Sequence, residues 1–148
     1  MRALTLKRPW LYAILRLGKH VENRTWRPPR DLVGRWFLLH EGKGWDADGA
    51  EWIERVCGVV CDQNPERGLV AAVKLQQVCG PLDAASYLPD DQGHWYMPPQ
   101  WGWLLSQVVP LRSPVPMPGA RGLWRVPAPL DLDVLRRLPD PDSMGFLR

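Results

Sequence analysis

Apolar residues in this chain fall in short runs, some continuous and some alternating with polar positions, separated by turn-forming residues. Ala3-Leu4-Thr5-Leu6 alternates and predicts a first strand. Pro9 suits the opening of a helix, since its fixed φ and missing N–H cost nothing there. Trp10, Ile14 and Leu17 then follow at helical spacing, with Leu11 and Leu15 beside them, and Gly18 supplies a left-handed stop. Residues 21–26 place Glu22, Arg24 and Trp26 at every second position and predict a strand, broken by Arg27-Pro28-Pro29-Arg30. Arg35 to His40 predicts a largely apolar strand. Asp46 or Asp48 can cap a helix carrying Trp52, Val56 and Val60 on one face, ended by Gln63-Asn64-Pro65. Two further strands are expected at 68–79 (GLVAAVKLQQVC) and 101–111 (WGWLLSQVVPL), with a long connection at 80–100 between them. Ser113 to Pro118 reads as extended and proline-rich. A last strand is expected at Gly122–Val126, a short helix at 130–138 and a frayed final ten residues.

About six strands with two or three helices, not alternating regularly, argue against a doubly wound parallel sheet. A small curved or closed mixed sheet flanked by helices, of α+β class, fits the pattern. A chain of 148 residues suits one core, with residues 129–148 expected to pack on or extend from a domain spanning 1–128. No apolar run reaches the length of a membrane span, and MRALTLKRPW lacks the apolar centre of a signal peptide. Three cysteines without a secretion signal predict a reduced, cytoplasmic protein.

Net charge is only +3, yet it is unevenly spread. Residues 1–36 hold nine cations against two acids, and residues 41–66 hold seven acids against two cations. The basic end favours an anionic partner such as a nucleic acid. Nine of the aromatics are tryptophan, more than a core of this size requires. Trp36 and Trp52 lie in apolar patterns and read as core. Trp10, Trp26, Trp95, Trp101 and Trp103 are candidates for a cleft, where an indole offers a stacking surface to a base.

The expected strand at 21–26 is unusual. His20, Glu22, Arg24 and Trp26 fall on one face, and Val21 is the sole apolar residue of the other. Lys19 sits just past a helix end, where the helix dipole favours a cation. Two readings follow: an edge strand with a surface ion pair worth under about 1 kcal/mol, or the floor of a polar pocket.

Residues 19–26, KHVENRTW, resemble the G-x-K-x-x-E-x-R signature of the ASCH (activating signal cointegrator homology) family, with Leu17 in place of its first glycine. Leu6-Lys7-Arg8-Pro9-Trp10 is similar to that family's S-L-x-Q-P-W segment, with Arg8 where glutamine is usual. Residues 34–42, 101–105 and 119–127 resemble its later strands, so the likeness spans about residues 2–127. The resemblance implies a PUA-like mixed β-barrel with flanking helices, a fold whose relatives bind RNA, and a cleft built on Lys19, Glu22 and Arg24. Some relatives are amidohydrolases of acetylated cytidine, using a lysine, a threonine three residues later and a glutamate on a later strand. Here Glu22 stands at the threonine position and the strand at 68–79 has no acid.

The first expectation is therefore a non-catalytic module for RNA or single-stranded nucleic acid, taking no cofactor. A splayed base stacks on Trp10 or Trp26, Glu22 accepts from an exocyclic amine, and Lys19 and Arg24 hold phosphate or a carbonyl. Lys7, Arg8, Arg27 and Arg30 track the backbone. The second is a small hydrolase of a modified nucleoside, or a ribonuclease, with Lys19 as base or nucleophile and Glu22 as proton relay. The third is a protein-interaction module presenting tryptophans and the 113–118 stretch. Cys57, Cys61, Cys79 and His94 are weighed as a zinc set and read instead as buried small residues and a lone histidine, so no metal is expected. No phosphate-binding glycine loop or dinucleotide fingerprint occurs.

Overall fold

The structure is a computed structural model that describes residues 1–63 and 68–146. Six strands form one sheet: β1 (Arg2–Arg8), β2 (Val21–Arg24), β3 (Trp36–Trp45), β4 (Gly68–Cys79), β5 (Trp101–Val115) and β6 (Leu123–Arg125). Their order is β2-β5-β4-β3-β1-β6. The β1–β3 pair is parallel and the other pairs are antiparallel, so the sheet is mixed. Around it lie α1 (Trp10–Arg16), α2 (Ala47–Cys57), α3 (Ala84–Tyr87) and α4 (Leu130–Arg137). This is the expected α+β class, a curled half-barrel with the strand number read from the alternation and one more helix than expected.

The curl is visible in a single contact. β2 and β1 stand four places apart in the sheet, yet Arg24 Nη2 donates to the Thr5 carbonyl at 2.9 Å. Inside the curl lie Leu4, Leu6, Phe37, Leu39, Val73, Leu75, Trp103 and Leu105, all buried, with α1 covering them through Leu11 and Ile14. On the outer face a second cluster gathers Ala3, Leu38, Leu69, Ala72 and Leu111 beneath α4, which contributes Val134, with Leu138 just beyond its end. Ala3 and Leu4 are thus adjacent in sequence and in different cores, as alternation requires.

Several boundaries differ from the sequence expectation. β2 ends at Arg24 rather than residue 26, because the chain bends at Thr25 and Trp26. α2 stops at Cys57: Gly58 takes the left-handed conformation (φ 70°) and its N–H closes on the Glu54 carbonyl, so Val60 lies outside the helix and is exposed. The expected terminator Gln63-Asn64-Pro65 falls partly outside the described residues. β5 runs on through Ser113 and Val115, absorbing half of the proline-rich stretch, because Val115 pairs with Leu69 of β4. The final residues are not simply frayed: Met144 and Phe146 pack against the second cluster, and residues 147–148 lie outside the described chain. The long connection at 80–100 contains α3 and a 3₁₀ segment at Asp90–Trp95.

His40, expected at a strand end, is buried in the middle of β3. Its Nε2 lies 2.7 Å from the Met117 carbonyl, which can only accept, so Nε2 carries the proton. Nδ1 then accepts from the Thr5 hydroxyl at 3.3 Å, and Thr5 in turn accepts from Trp124 Nε1 at 3.1 Å. Burial pushes the His40 pKa below its ordinary value, against an opposing pull from the Met117 carbonyl. A base whose folded pKa is depressed leaves stability intact above its unfolded pKa of about 6.5, and stability is lost as pH falls toward the lower folded value. Urea unfolding should therefore show the protein weakening between about pH 7.5 and 5. His40→Gln should be less stable at the upper end of that range and should flatten the slope. Equal slopes in both proteins would remove His40 as the titrating group.

Candidate functional site

Lys19, Glu22 and Asn23 of the 19–26 stretch line a cavity of about 480 Å³ between α1, β2, α2 and the segment Met97–Gln100. Lys19 and Glu22 form its floor. Lys19 is placed by the turn after α1: Gly18 adopts φ 73°, and the Lys19 N–H returns to the Ala13 carbonyl at 3.2 Å. That turn sends the ammonium inward, where it is 2% exposed. Lys19 Nζ donates to the Val21 carbonyl and lies 3.5 Å from Glu22 Oε2. It also sits 5.5 Å from the centre of the Trp10 ring, within cation–π range.

Glu22 is itself buried and is held from the other side by Arg24, whose Nε lies 3.2 Å from Oε1 as an ion-pair contact. One buried carboxylate therefore faces two cations, and the carbonyls of Val21 and Thr5 take further donors from them. Burial lowers the Lys19 pKa below its usual value; the charge and hydrogen bond of Glu22 oppose that fall, and Arg24 adds to it. β2 is indeed an edge strand of the sheet, but its ion pair is not a surface pair, because Lys19 and Glu22 are buried together.

The walls come largely from α2. Asp46 caps that helix by accepting from Gly49 N at 2.9 Å, and its other oxygen accepts from Trp10 Nε1 at 2.9 Å. Trp10 is thereby fixed against the first turn of α2. Gly49 makes this approach possible: a Cβ there would meet Trp10 Cζ2 at 2.5 Å. Asp48, Glu51, Trp52 and Arg55 complete the helix's contribution. The Trp10 and Trp52 rings lie 6.5 Å apart at 46°, so they form a tilted wall rather than a parallel clamp. The connection at 80–100 closes the site and is pinned by two amides. Asn23 Nδ2 donates to the Trp95 carbonyl and its oxygen accepts from Met97 N, both at 2.9 Å. Gln92, buried, accepts from His20 N and donates to the Gly18 carbonyl.

Of the residues singled out in the sequence, Trp10, Lys19 and Glu22 line the cavity, and Arg24 braces Glu22 from behind. His20 does not share that face; its ring bonds the Leu105 carbonyl at 3.1 Å and borders a different, smaller cavity. Trp26 packs edge-on against the buried Trp103 at 5.0 Å and does not line the site. Lys7, Arg8, Arg27 and Arg30 also lie outside its lining. Arg8 donates to the Lys43 carbonyl at 2.9 Å, and Arg27 stacks over Trp101 at 4.7 Å. Trp52, read as core, is a half-buried wall of the cavity. The signal for it was present: Asp48, Glu51, Trp52 and Arg55 recur at i, i+3, i+4 and i+7, one polar face of a helix carrying a single indole. Cys61 and Cys79 lie in a third apolar cluster, and burial raises both thiol pKa values. Among the described residues no three metal-ligating side chains are grouped.

Two solved structures resemble this one across most of both chains. They are ASCH from Zymomonas mobilis and a tyrosine-to-phenylalanine mutant of that protein. Each has a TM-score of 0.56 and 13% identity over 93% of this chain, covering 94% and 97% of theirs. The fold is ASCH-like. No protein-family model matches the chain, and no curated protein matches it in sequence. At that identity the likeness carries the architecture and not the chemistry, so the ASCH-like fold positions the cavity while its lining has to be read from this chain alone.

Gly49 gives a direct test of how the wall is built. Gly49→Ala should force Trp10 off Asp46 and cost about 1–3 kcal/mol, the usual range for overpacking. Urea unfolding with tryptophan emission as readout checks this, and an unchanged midpoint and spectrum would mean the contact is not tight.

Proposed function

We propose that the protein recognises a single base of RNA or of another single-stranded nucleic acid in the cavity between Trp10, Trp52, Lys19 and Glu22. The observation that carries this reading is the buried Lys19–Glu22 pair at the floor of a cavity walled by two indoles. A flat ring stacks on an indole face, a carboxylate accepts from an exocyclic amine, and an ammonium donates to a ring carbonyl. The rest of the lining supports a base over a phosphate. Four carboxylates (Glu22, Asp46, Asp48, Glu51) face two cations (Lys19, Arg55), so a phosphate entering here meets net repulsion. The base enters, and the backbone stays outside near the basic N-terminal third. Three free cysteines fit a cytoplasmic RNA-binding module. Among the described residues no helix is long and apolar enough to cross a membrane.

Glu22→Gln is isosteric but leaves Lys19 and Arg24 facing a neutral amide, so its urea midpoint should fall. Binding is compared under conditions where the variant is folded; there it lacks one charged acceptor. A hydrogen bond to a charged group contributes about 1.5–3 kcal/mol, so affinity for a cognate oligoribonucleotide should fall about ten-fold or more. A scrambled one should be held as before. Arg27→Gln should weaken both equally. Equal losses on both ligands from both variants would sink base recognition in this cavity.

One observation favours a second, catalytic reading. Lys19 is fully buried and its pKa is lowered, which are the conditions that prepare a lysine to act as base or nucleophile. In that case the ligand is a free modified nucleoside and Glu22 relays the proton. Hydrolysis of modified cytidines that is lost in Lys19→Ala would establish it. Turnover that survives the substitution would take Lys19 out of the mechanism.

A further inference from the structure

A second cavity, of about 570 Å³, opens where the starts of β1 and β3 meet β4, β6 and the turns at 143–146. It shares no lining residue with the Lys19–Glu22 cavity, and its charge is opposite. Arg2, Arg35, Lys74 and Arg125 face a single acid, Asp31. Asp31 pairs with Arg2 at 3.0 Å, and among the described residues no carboxylate stands within ion-pair distance of Arg35, Lys74 or Arg125. The grouping is imposed by register. Arg2 and Arg125 are cross-strand partners on β1 and β6, and Lys74 is the partner of Trp36 on β3. Like charges placed directly opposite each other on a sheet are destabilising. Asp31 pairs with Arg2 and its charge also reaches Arg35, so one acid is shared among four cations around a common concavity, and Lys74 and Arg125 are the furthest from relief.

We propose that this cavity is a phosphate-binding site. The guanidinium groups of Arg35 and Arg125 suit bidentate contact with phosphate oxygens, and Lys74 adds a compact point charge beside Trp36. The phosphate is either that of a nucleic-acid backbone, which rests on the function proposed above, or that of a small phosphorylated molecule, which does not. It complements the first cavity, whose carboxylates turn phosphate away.

Inorganic phosphate and a single-stranded oligoribonucleotide distinguish these sources. In the wild-type protein, inorganic phosphate should shift the Trp36 indole N–H resonance, assigned with Trp36→Phe, to saturation. The shift should vanish in Lys74→Gln/Arg125→Gln and survive in Lys74→Arg/Arg125→Lys, which keeps both charges and guards against a fold defect. If the backbone is the source, the double glutamine variant should also lower the salt dependence of oligoribonucleotide binding by about one unit of slope per cation removed. Saturable phosphate binding with an unchanged oligonucleotide slope assigns the site to a small phosphorylated ligand, whatever becomes of the base-binding cavity. No saturable shift in the wild-type protein, or the same shift in the double glutamine variant, overturns the proposal.

Discussion

The structure turns on how one buried carboxylate is satisfied. Glu22 lies sealed against the sheet with Lys19 on one oxygen and Arg24 on the other. Removing such a group from water costs several kcal/mol and is tolerable only when its partners are fixed and themselves bonded. Here they are. Lys19 is held by the turn at Gly18 and by the Val21 carbonyl, and Arg24 reaches the Thr5 carbonyl. That last bond spans the open seam of the curl, from the edge strand β2 to β1. The charge network that floors the cavity is therefore also the strap that sets how far the sheet closes.

The long connection is anchored beside the same pair. Gln92 and Asn23 attach the 80–100 segment beside Lys19 and Glu22, which brings Met97 and Gln100 into the cavity wall. On the other wall, Gly49 admits Trp10 against the cap of α2. Two tryptophans, one buried ion cluster and two amides thus define a cavity whose shape is set before any ligand arrives. Preorganisation of this kind suits recognition of a flat, uncharged group.

Charge is partitioned between two concavities. The acidic stretch of the sequence becomes the wall supplied by α2. Part of the basic N-terminal third, Arg2 and Arg35, joins Lys74 and Arg125 at the other cavity.

The sequence by itself determined the mixed sheet and its strand count, since period-two alternation and turn residues are local signals. It also marked Lys19 and Glu22, through the polar face of the expected strand and the likeness of residues 19–26 to a known signature, and Trp10 as one of five indoles open to a cleft. Only the tertiary structure decided that Trp26 packs on Trp103 while Trp52 faces the cavity. Both are indoles in half-apolar surroundings, and what separates them is which neighbour arrives from a distant part of the chain. The sequence could not show that β2 bends after Arg24, that Arg24 bridges to Thr5, or that Arg2 meets Arg125. Each depends on strand order and register. These follow from how the whole sheet curls over its core, a property that no local stretch of residues carries.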